Sequence, residues 1–284
     1  MVQIVKTIQE VRETVKAWKR AGDQVALVPT MGFLHEGHQS LMNAAKAANA
    51  RVVVSIFVNP MQFGPTEDLA SYPRDLDKDQ LLCQQSGVDL IFHPDADEMY
   101  SPDFCSFVDM TGLTEGLCGS SRPVHFRGVC TVVSKLFNIV QPDRAYFGQK
   151  DAQQLAVIRR MVRDLNIDVQ VIGCPIIREQ DGLAKSSRNS YLNREERQAA
   201  LCLHAAIQSG QQLIQNGAKD CQKIITQMSA LINQQPLAKI DYISIVDAET
   251  LIPVEQITRS VLCAMAVYIG KTRLIDNFIF EIPN

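Results

Sequence analysis

Short apolar runs alternate with helical stretches through roughly the first 175 residues, and this alternation restricts the fold more than any other property of the chain. Strand-like segments lie at 24–29, 51–58 (Arg-Val-Val-Val-Ser-Ile-Phe-Val), 88–92, 144–147 and 168–173. Helical patterns lie near 38–49, 75–86, 128–140 and 151–164. Apolar runs joined by helices belong to a parallel sheet covered on both faces. Ahead of them, Ile4, Ile8, Val11, Val15 and Trp18 recur at helical spacing and predict one apolar helix face that ends near Gly22. After about residue 175 the pattern changes. Cys174-Pro175 leads into a turn-rich stretch, Arg178-Glu179-Gln180-Asp181-Gly182. Long helices at 194–215 and 219–234 follow, then strands at 240–246, 261–269 and 274–280. The reading is a sheet domain over 1–176 and a smaller α+β domain over 177–284 that closes over the site.

In a parallel sheet of this kind, ligands sit beyond the carboxyl ends of the strands, near the point where strand order reverses. One strand ends in Pro29-Thr30-Met31-Gly32-Phe33-Leu34-His35-Glu36-Gly37-His38, and a helix begins at once. A helix start there offers unpaired N–H groups and a positive dipole end to phosphate. Two imidazoles can donate to charge developing on a phosphoryl group without being permanently charged. Gly37 removes a Cβ from the approach. Two surface histidines in a turn are the plain alternative, and the strand and helix around the pair weigh against it.

A second strand end reads Tyr146-Phe147-Gly148-Gln149-Lys150-Asp151. Lys150 can neutralise phosphate as a point charge. Asp151 can accept from ribose hydroxyls or cap the next helix. Gln153 and Gln154 follow on its first turn. A third cluster, Leu183-Ala184-Lys185-Ser186-Ser187-Arg188-Asn189, sets two hydroxyls between two cations. It suits a loop that closes over a triphosphate, with Arg188 gripping oxygens in bidentate fashion. Asn59 and Gln62 in Asn59-Pro60-Met61-Gln62-Phe63-Gly64, and Tyr72 in Tyr72-Pro73-Arg74, pair neutral polar groups with apolar ones, as a small polyhydroxylated acid would require. Arg122 and His125 are further anion-binding candidates, with a salt bridge the alternative for Arg122. Asp75, Asp77 and Asp79 read as a solvated helix start favoured by the dipole, with magnesium binding the alternative. The metal ligands stay unassigned.

Composition narrows the partners. The net charge is −3, which argues against a general nucleic-acid binder. No apolar run approaches the ~18 residues of a membrane span, and the first twenty residues lack an uninterrupted signal-peptide core. Eight cysteines are scattered without a C-x-x-C pair and read as reduced core thiols of a cytoplasmic protein.

These residues resemble the pantothenate synthetase family. The resemblance runs through Pro29-Thr30-Met31-Gly32, His35-Glu36-Gly37-His38, Phe57-Val58-Asn59-Pro60-Met61-Gln62-Phe63, Glu67-Asp68, Tyr72-Pro73-Arg74 and His125-Phe126-Arg127-Gly128-Val129. It continues through Lys135-Leu136-Phe137-Asn138-Ile139-Val140, Pro142-Asp143, Phe147-Gly148, Lys150-Asp151, Asp181-Gly182-Leu183-Ala184, Ser186-Ser187-Arg188-Asn189 and Thr272-Arg273-Leu274-Ile275-Asp276-Asn277. It implies an α/β fold with a Rossmann-like parallel sheet of the class I aminoacyl-tRNA synthetase and nucleotidyltransferase type. It implies ATP- and Mg²⁺-dependent condensation of (R)-pantoate with β-alanine through a pantoyl-adenylate, releasing AMP and pyrophosphate, by a cytoplasmic homodimer. By resemblance, Met31, Gly32, Phe33, Leu34, His35, Glu36, Gly37 and His38 line the ATP site, with His38 the proton donor. Gly148 and Asp151 bind ribose, with Gln149 alongside them through its backbone, and Lys150 binds phosphate. Ile177 meets adenine through its backbone, and Lys185, Ser186, Ser187 and Arg188 form the closing phosphate loop. Gln62 and Gln154 hold pantoate, and Gln62 also lies against β-alanine.

Three positions depart from the family pattern: Gln149 for Glu, Lys185 for Met, and Cys118 for Glu near the substrate cleft. The rival reading is a nucleotidyltransferase that leaves AMP on a small cofactor precursor. A more distant one is a non-catalytic nucleotide-binding regulator.

Overall fold

The computed structural model describes residues 2–282. The chain divides into two compact units. The first comprises Met1–Met110, Arg122–Gln149 and Val157–Pro175. The second comprises Thr111–Ser121, Lys150–Ala156 and Ile176–Asn284. A single cut after residue 176 therefore misses two short segments, 111–121 and 150–156, that belong with the C-terminal half.

The first unit holds a six-stranded parallel sheet of order β1-β4-β3-β2-β5-β6. Its strands are β1 (Gln3–Val5), β2 (Val25–Thr30), β3 (Arg51–Ile56), β4 (Leu90–Phe92), β5 (Arg144–Gly148) and β6 (Gln170–Cys174). Ile4, read from periodicity as helical, lies instead in β1, because Thr7 stops the strand and starts α1 (Ile8–Arg20). Thr7 and Glu10 form a reciprocal capping box there, which satisfies two N–H groups the helix leaves open.

The remaining helices of the N-terminal half are α2 (Glu36–Ala48), α3 (Leu76–Gln85), two single turns α4 (Ala96–Met99) and α5 (Cys118–Ser121), α6 (His125–Val140) and α7 (Ala152–Asp164). Alternate residues of β2 face opposite ways. Ala26 and Val28 share a fully buried cluster with Leu41, Met42 and Ala45 of α2, Val52 and Val54 of β3, and Cys83 of α3. α1 and α6 pack on each other and against β2. The chain steps one way from β2 to β3 and β4 and the other way to β5 and β6, so the order reverses between β2 and β5.

The second unit carries a three-stranded antiparallel sheet, β7 (Ala238–Asp247), β8 (Val261–Ile269) and β9 (Thr272–Phe280), with β8 in the middle. The helical stretch expected over 194–215 is two helices, α8 (Arg194–Ala199) and α9 (Leu201–Gln215), and α10 (Cys221–Ile232) follows. Leu203 and Ile207 of α9, Ile224 and Met228 of α10, and Cys263, Met265 and Val267 of β8 form its core. Six cysteines are buried thiols, as the sequence suggests. Cys105 is exposed and Cys118 half-buried, so these two are not core residues. No helix among the described residues is long and apolar enough to cross a membrane.

Candidate active site

β2 and β5 are adjacent parallel strands, so residues 31–38 and 148–149 leave the sheet side by side at the switch point. His35 is the N-cap of α2, in extended backbone, and its Nδ1 accepts the Gly37 N–H at 3.1 Å. His38 Nδ1 accepts the His35 N–H at 3.3 Å. The two histidines thus make a reciprocal cap of the kind usually built from a hydroxyl and a carboxylate. Their ring centroids lie 4.2 Å apart. With both Nδ1 atoms accepting, a neutral ring carries its proton on Nε2, which becomes the donor. The sequence suggested open backbone N–H groups for phosphate at this helix start. The N–H groups of His35 and Gly37 are instead taken by the rings.

The turn before the helix is held from below by Asp79. Its Oδ1 and Oδ2 accept the N–H groups of Leu34 at 2.6 Å and Phe33 at 2.8 Å. Asp79 is 1% exposed, which corrects the reading of 75–79 as a solvated acidic turn. Only Asp75, which caps α3, and exposed Asp77 fit that description. Burial raises the Asp79 carboxyl above its ordinary range, opposed by the two backbone hydrogen bonds. Phe33 and Gly32 both have positive φ, and a Cβ on Gly32 would meet Asp79 and Ile56 at 3.0 Å. The turn therefore needs glycine for both conformation and space. The Leu34 side chain is buried in the core. Nothing in the sequence near Asp79 announces a partner 45 residues away.

The residues expected for a small acid gather after β3. Asn59 is 1% exposed. Its Oδ1 accepts the Met61 N–H at 3.3 Å, and its Nδ2 donates to Gln62 Oε1 at 3.2 Å and the Gly128 carbonyl at 3.1 Å. Gln62 Nε2 lies 2.9 Å from Met31 Sδ, which joins this group to the histidine turn. The Gln62 carbonyl is met by His125 Nδ1 at 3.0 Å and by Arg122 at 3.3 Å. Arg122 is otherwise engaged with Glu67 in a bidentate pair at 2.8 and 2.6 Å. Burial raises the Glu67 carboxyl, but Arg122 more than offsets this and leaves it below its ordinary value. The structure thus gives Arg122 and His125 the task of pinning Gln62. Tyr72 is buried edge-on against Phe63.

Gly128 of α6 lies against the same loop, and a Cβ there would stand 2.3 Å from the Met61 carbonyl oxygen. Gly128→Ala is expected to displace Met61 and Gln62 and to cost about 1–3 kcal/mol. Urea unfolding checks the stability, and a crystal structure of the variant checks the displacement.

Within the second unit, Lys150 and Asp151 lie in a 3₁₀ turn, with Nζ 3.6 Å from the Asp151 carboxylate. Asn277 Nδ2 donates to the Lys150 carbonyl at 2.8 Å. Residues 177–185 form a tight hairpin in which the Lys185 N–H donates to the Ile177 carbonyl at 2.9 Å and Arg178 bridges Ala184. Arg178 also makes a bidentate pair with Asp276, which is 2% exposed, at 2.7 and 2.9 Å. Ser186 caps the turn Ser187–Tyr191 by accepting the Arg188 N–H at 3.3 Å, and Ser187 is buried. Gln154 is half-buried.

Gln153, grouped in the sequence with Gln154 as a cleft residue, instead holds segment 111–121. Its Oε1 accepts the Cys118 N–H, and its Nε2 donates to the carbonyls of Leu113 and Gly116. Cys118 Sγ lies 3.2 Å from the Tyr242 hydroxyl and 3.6–3.7 Å from both terminal nitrogens of Arg273. A register shift in β7 between Ile240 and Tyr242 brings Asp241 to Arg273, at 2.7 Å, and to Ser121. Among the described residues, no group of three His, Cys, Asp or Glu side chains converges as a metal cage.

Residues 3–279 match the family model described as pantoate-beta-alanine ligase. The chain is 61% identical over 276 residues to the pantothenate synthetase of Ruminiclostridium cellulolyticum, covering 97% of this chain and 98% of that one. It is 61% identical over 279 residues to that of Enterococcus faecalis, covering 98% and 99%. The crystal structure of pantothenate synthetase from Thermus thermophilus superposes with a TM-score of 0.93 at 44% identity, over 98% of this chain and 99% of that one. The pantoate-beta-alanine ligase of Francisella tularensis, solved with beta-gamma ATP and beta-alanine, superposes with a TM-score of 0.80 at 32% identity, over 98% of both chains. This chain belongs to the pantoate-beta-alanine ligase family.

Proposed function

We propose that the chain condenses (R)-pantoate with β-alanine using MgATP, through a pantoyl-adenylate. A carboxylate does not acylate an amine at neutral pH without activation, and adenylation supplies it. A pantoate carboxylate oxygen attacks the α-phosphorus in line, the bond to the bridging oxygen breaks, and pyrophosphate leaves. The β-alanine nitrogen then attacks the acyl carbon, the bond to the AMP oxygen breaks, and the amine gives up a proton. The protein's task is positioning and charge stabilisation.

The observation that carries this reading is the histidine cap. It turns both Nε2–H groups into fixed donors at a strand-end switch point, in a chain of this family. Those donors are assigned to the α- and β-phosphate oxygens. Lys150, Ser186, Ser187 and Arg188 are assigned to the departing pyrophosphate, with Lys185 lending charge. Gly148, Gln149 and Asp151 are assigned to ribose and Ile177 to adenine. Asn59, Gln62, Tyr72 and Gln154 are assigned to pantoate, with Arg122 acting through Gln62. The Francisella complex with beta-gamma ATP and beta-alanine supports both substrates. Mg²⁺ enters as part of the nucleotide, held largely by phosphate oxygens and water, which is its usual mode beside triphosphates. The smaller unit is proposed to close over the site and keep water from the mixed anhydride. A cytoplasmic homodimer completes the proposal, and the free thiols support the compartment.

Incubation with ATP, Mg²⁺, pantoate and β-alanine should yield AMP and pantothenate, with neither formed when any substrate is omitted. Pantoate alone should support exchange of pyrophosphate into ATP. A stable adenylylated product in place of free AMP would overturn the ligase reading.

A further inference from the structure

We infer that Tyr100 is a positioning residue that joins the Met61 N–H and the Gly128 carbonyl in holding Asn59, and through it makes Gln62 present its amide nitrogen, rather than its oxygen, to the acid substrate. The inference rests on the assignment of Gln62 to pantoate. Tyr100 follows α4, packs against Phe57 and Phe104 with ring centroids 6.2 and 5.0 Å away, and places its hydroxyl 2.8 Å from Asn59 Oδ1. Burial pushes the phenol well above its usual range, so the hydroxyl keeps its proton and donates.

Amide orientation is decided by partners that can act in only one way. The Met61 N–H donates only, and it meets the same Oδ1 as the tyrosine hydroxyl. The Gly128 carbonyl accepts only, and it meets Nδ2. Asn59 is therefore fixed with its NH₂ toward Gln62 Oε1. That bond consumes the Gln62 oxygen and turns Nε2 toward Met31 and the histidine turn. The Gln62 main chain is already pinned by His125 and Arg122, which leaves side-chain rotation as its remaining freedom. A run of hydrogen bonds with one polarity, from phenol to amide to amide, removes that freedom. The Nε2 N–H that Met31 does not engage then matches the carboxylate and hydroxyl oxygens of pantoate, which accept.

The test compares Tyr100→Phe, Gln62→Ala and the double variant by steady-state kinetics with pantoate and ATP each varied. Tyr100→Phe keeps the ring packing and removes only the donor. It should raise KM for pantoate by about three- to tenfold, the size expected for one neutral hydrogen bond, with kcat and KM for ATP within about twofold. In the Gln62→Ala background the same change should add less than about twofold, because the group it positions is gone. An unchanged KM for pantoate in Tyr100→Phe, when Gln62→Ala raises it, overturns the inference and leaves the Gln62 assignment standing. An unchanged KM in Gln62→Ala overturns both. Additive effects in the double variant, or an equal loss in kcat and both KM values, overturn the inference by marking Tyr100 as structural.

Discussion

Replacing His38 with alanine is expected to lower kcat by about 10² to 10³, the range for losing one preorganised donor, worth roughly 2.7–4 kcal/mol of barrier. The substitution removes two things. One is the Nε2 donor assigned to phosphate. The other is the Nδ1 acceptor that caps the His35 N–H. Losing a cap costs about 0.5–2 kcal/mol of stability, so the fold should persist and the melting curve should shift modestly. His38→Asn separates the two, because an asparagine oxygen can accept from the backbone but does not extend to the Nε2 position. It should recover most of the lost stability and little of the turnover. Steady-state kinetics beside thermal unfolding decides the matter, and a His38→Ala variant turning over near the parent rate would remove this imidazole from the mechanism.

Arg178→Ala is expected to destabilise the protein by about 3–5 kcal/mol, the cost of leaving a buried carboxylate without its cation. Asp276 is almost fully enclosed, and both of its oxygens accept from the Arg178 guanidinium. Once the arginine is gone, the Asn277 N–H on Oδ1 is too little compensation. Arg178 also donates to the Gly182 carbonyl, so the hairpin leading to Lys185, Ser186, Ser187 and Arg188 should loosen in the same variant. Replacing both partners by apolar residues, as in Arg178→Met with Asp276→Leu, should cost less than Arg178→Ala alone, since no charge is then stranded. Urea midpoints for the three variants test this. A loss under about 1 kcal/mol for Arg178→Ala would class the pair with surface ion pairs.

The sheet was legible because a strand buried on both faces leaves a continuous apolar signature. The runs at 24–29, 51–58 and 144–147 fall on β2, β3 and β5 within two residues at each end. The paired strand-to-helix turns placed His35 and His38 correctly at the start of α2. What stayed hidden depends on partners distant in sequence. Asp79 looks like any acidic residue in a first helical turn until the fold carries the 31–34 turn over it. Gln153 and Arg122 have side chains that suit a ligand, and the structure engages them with protein carbonyls and carboxylates instead. Tyr100 sits beside a single helical turn with no periodicity to draw attention to it. Ile4 was misplaced because a short edge strand and an amphipathic helix share apolar spacing over a few residues, and only the Thr7 cap divides them.

The chain crosses between the two units five times. It passes from one to the other at 110/111, 121/122, 149/150, 156/157 and 175/176. A polypeptide ending at Pro175 would strand Cys118 without Tyr242 and Arg273, and Lys150 without Asn277. A break at the obvious joint would thus leave the first unit whole and the second without two of its segments.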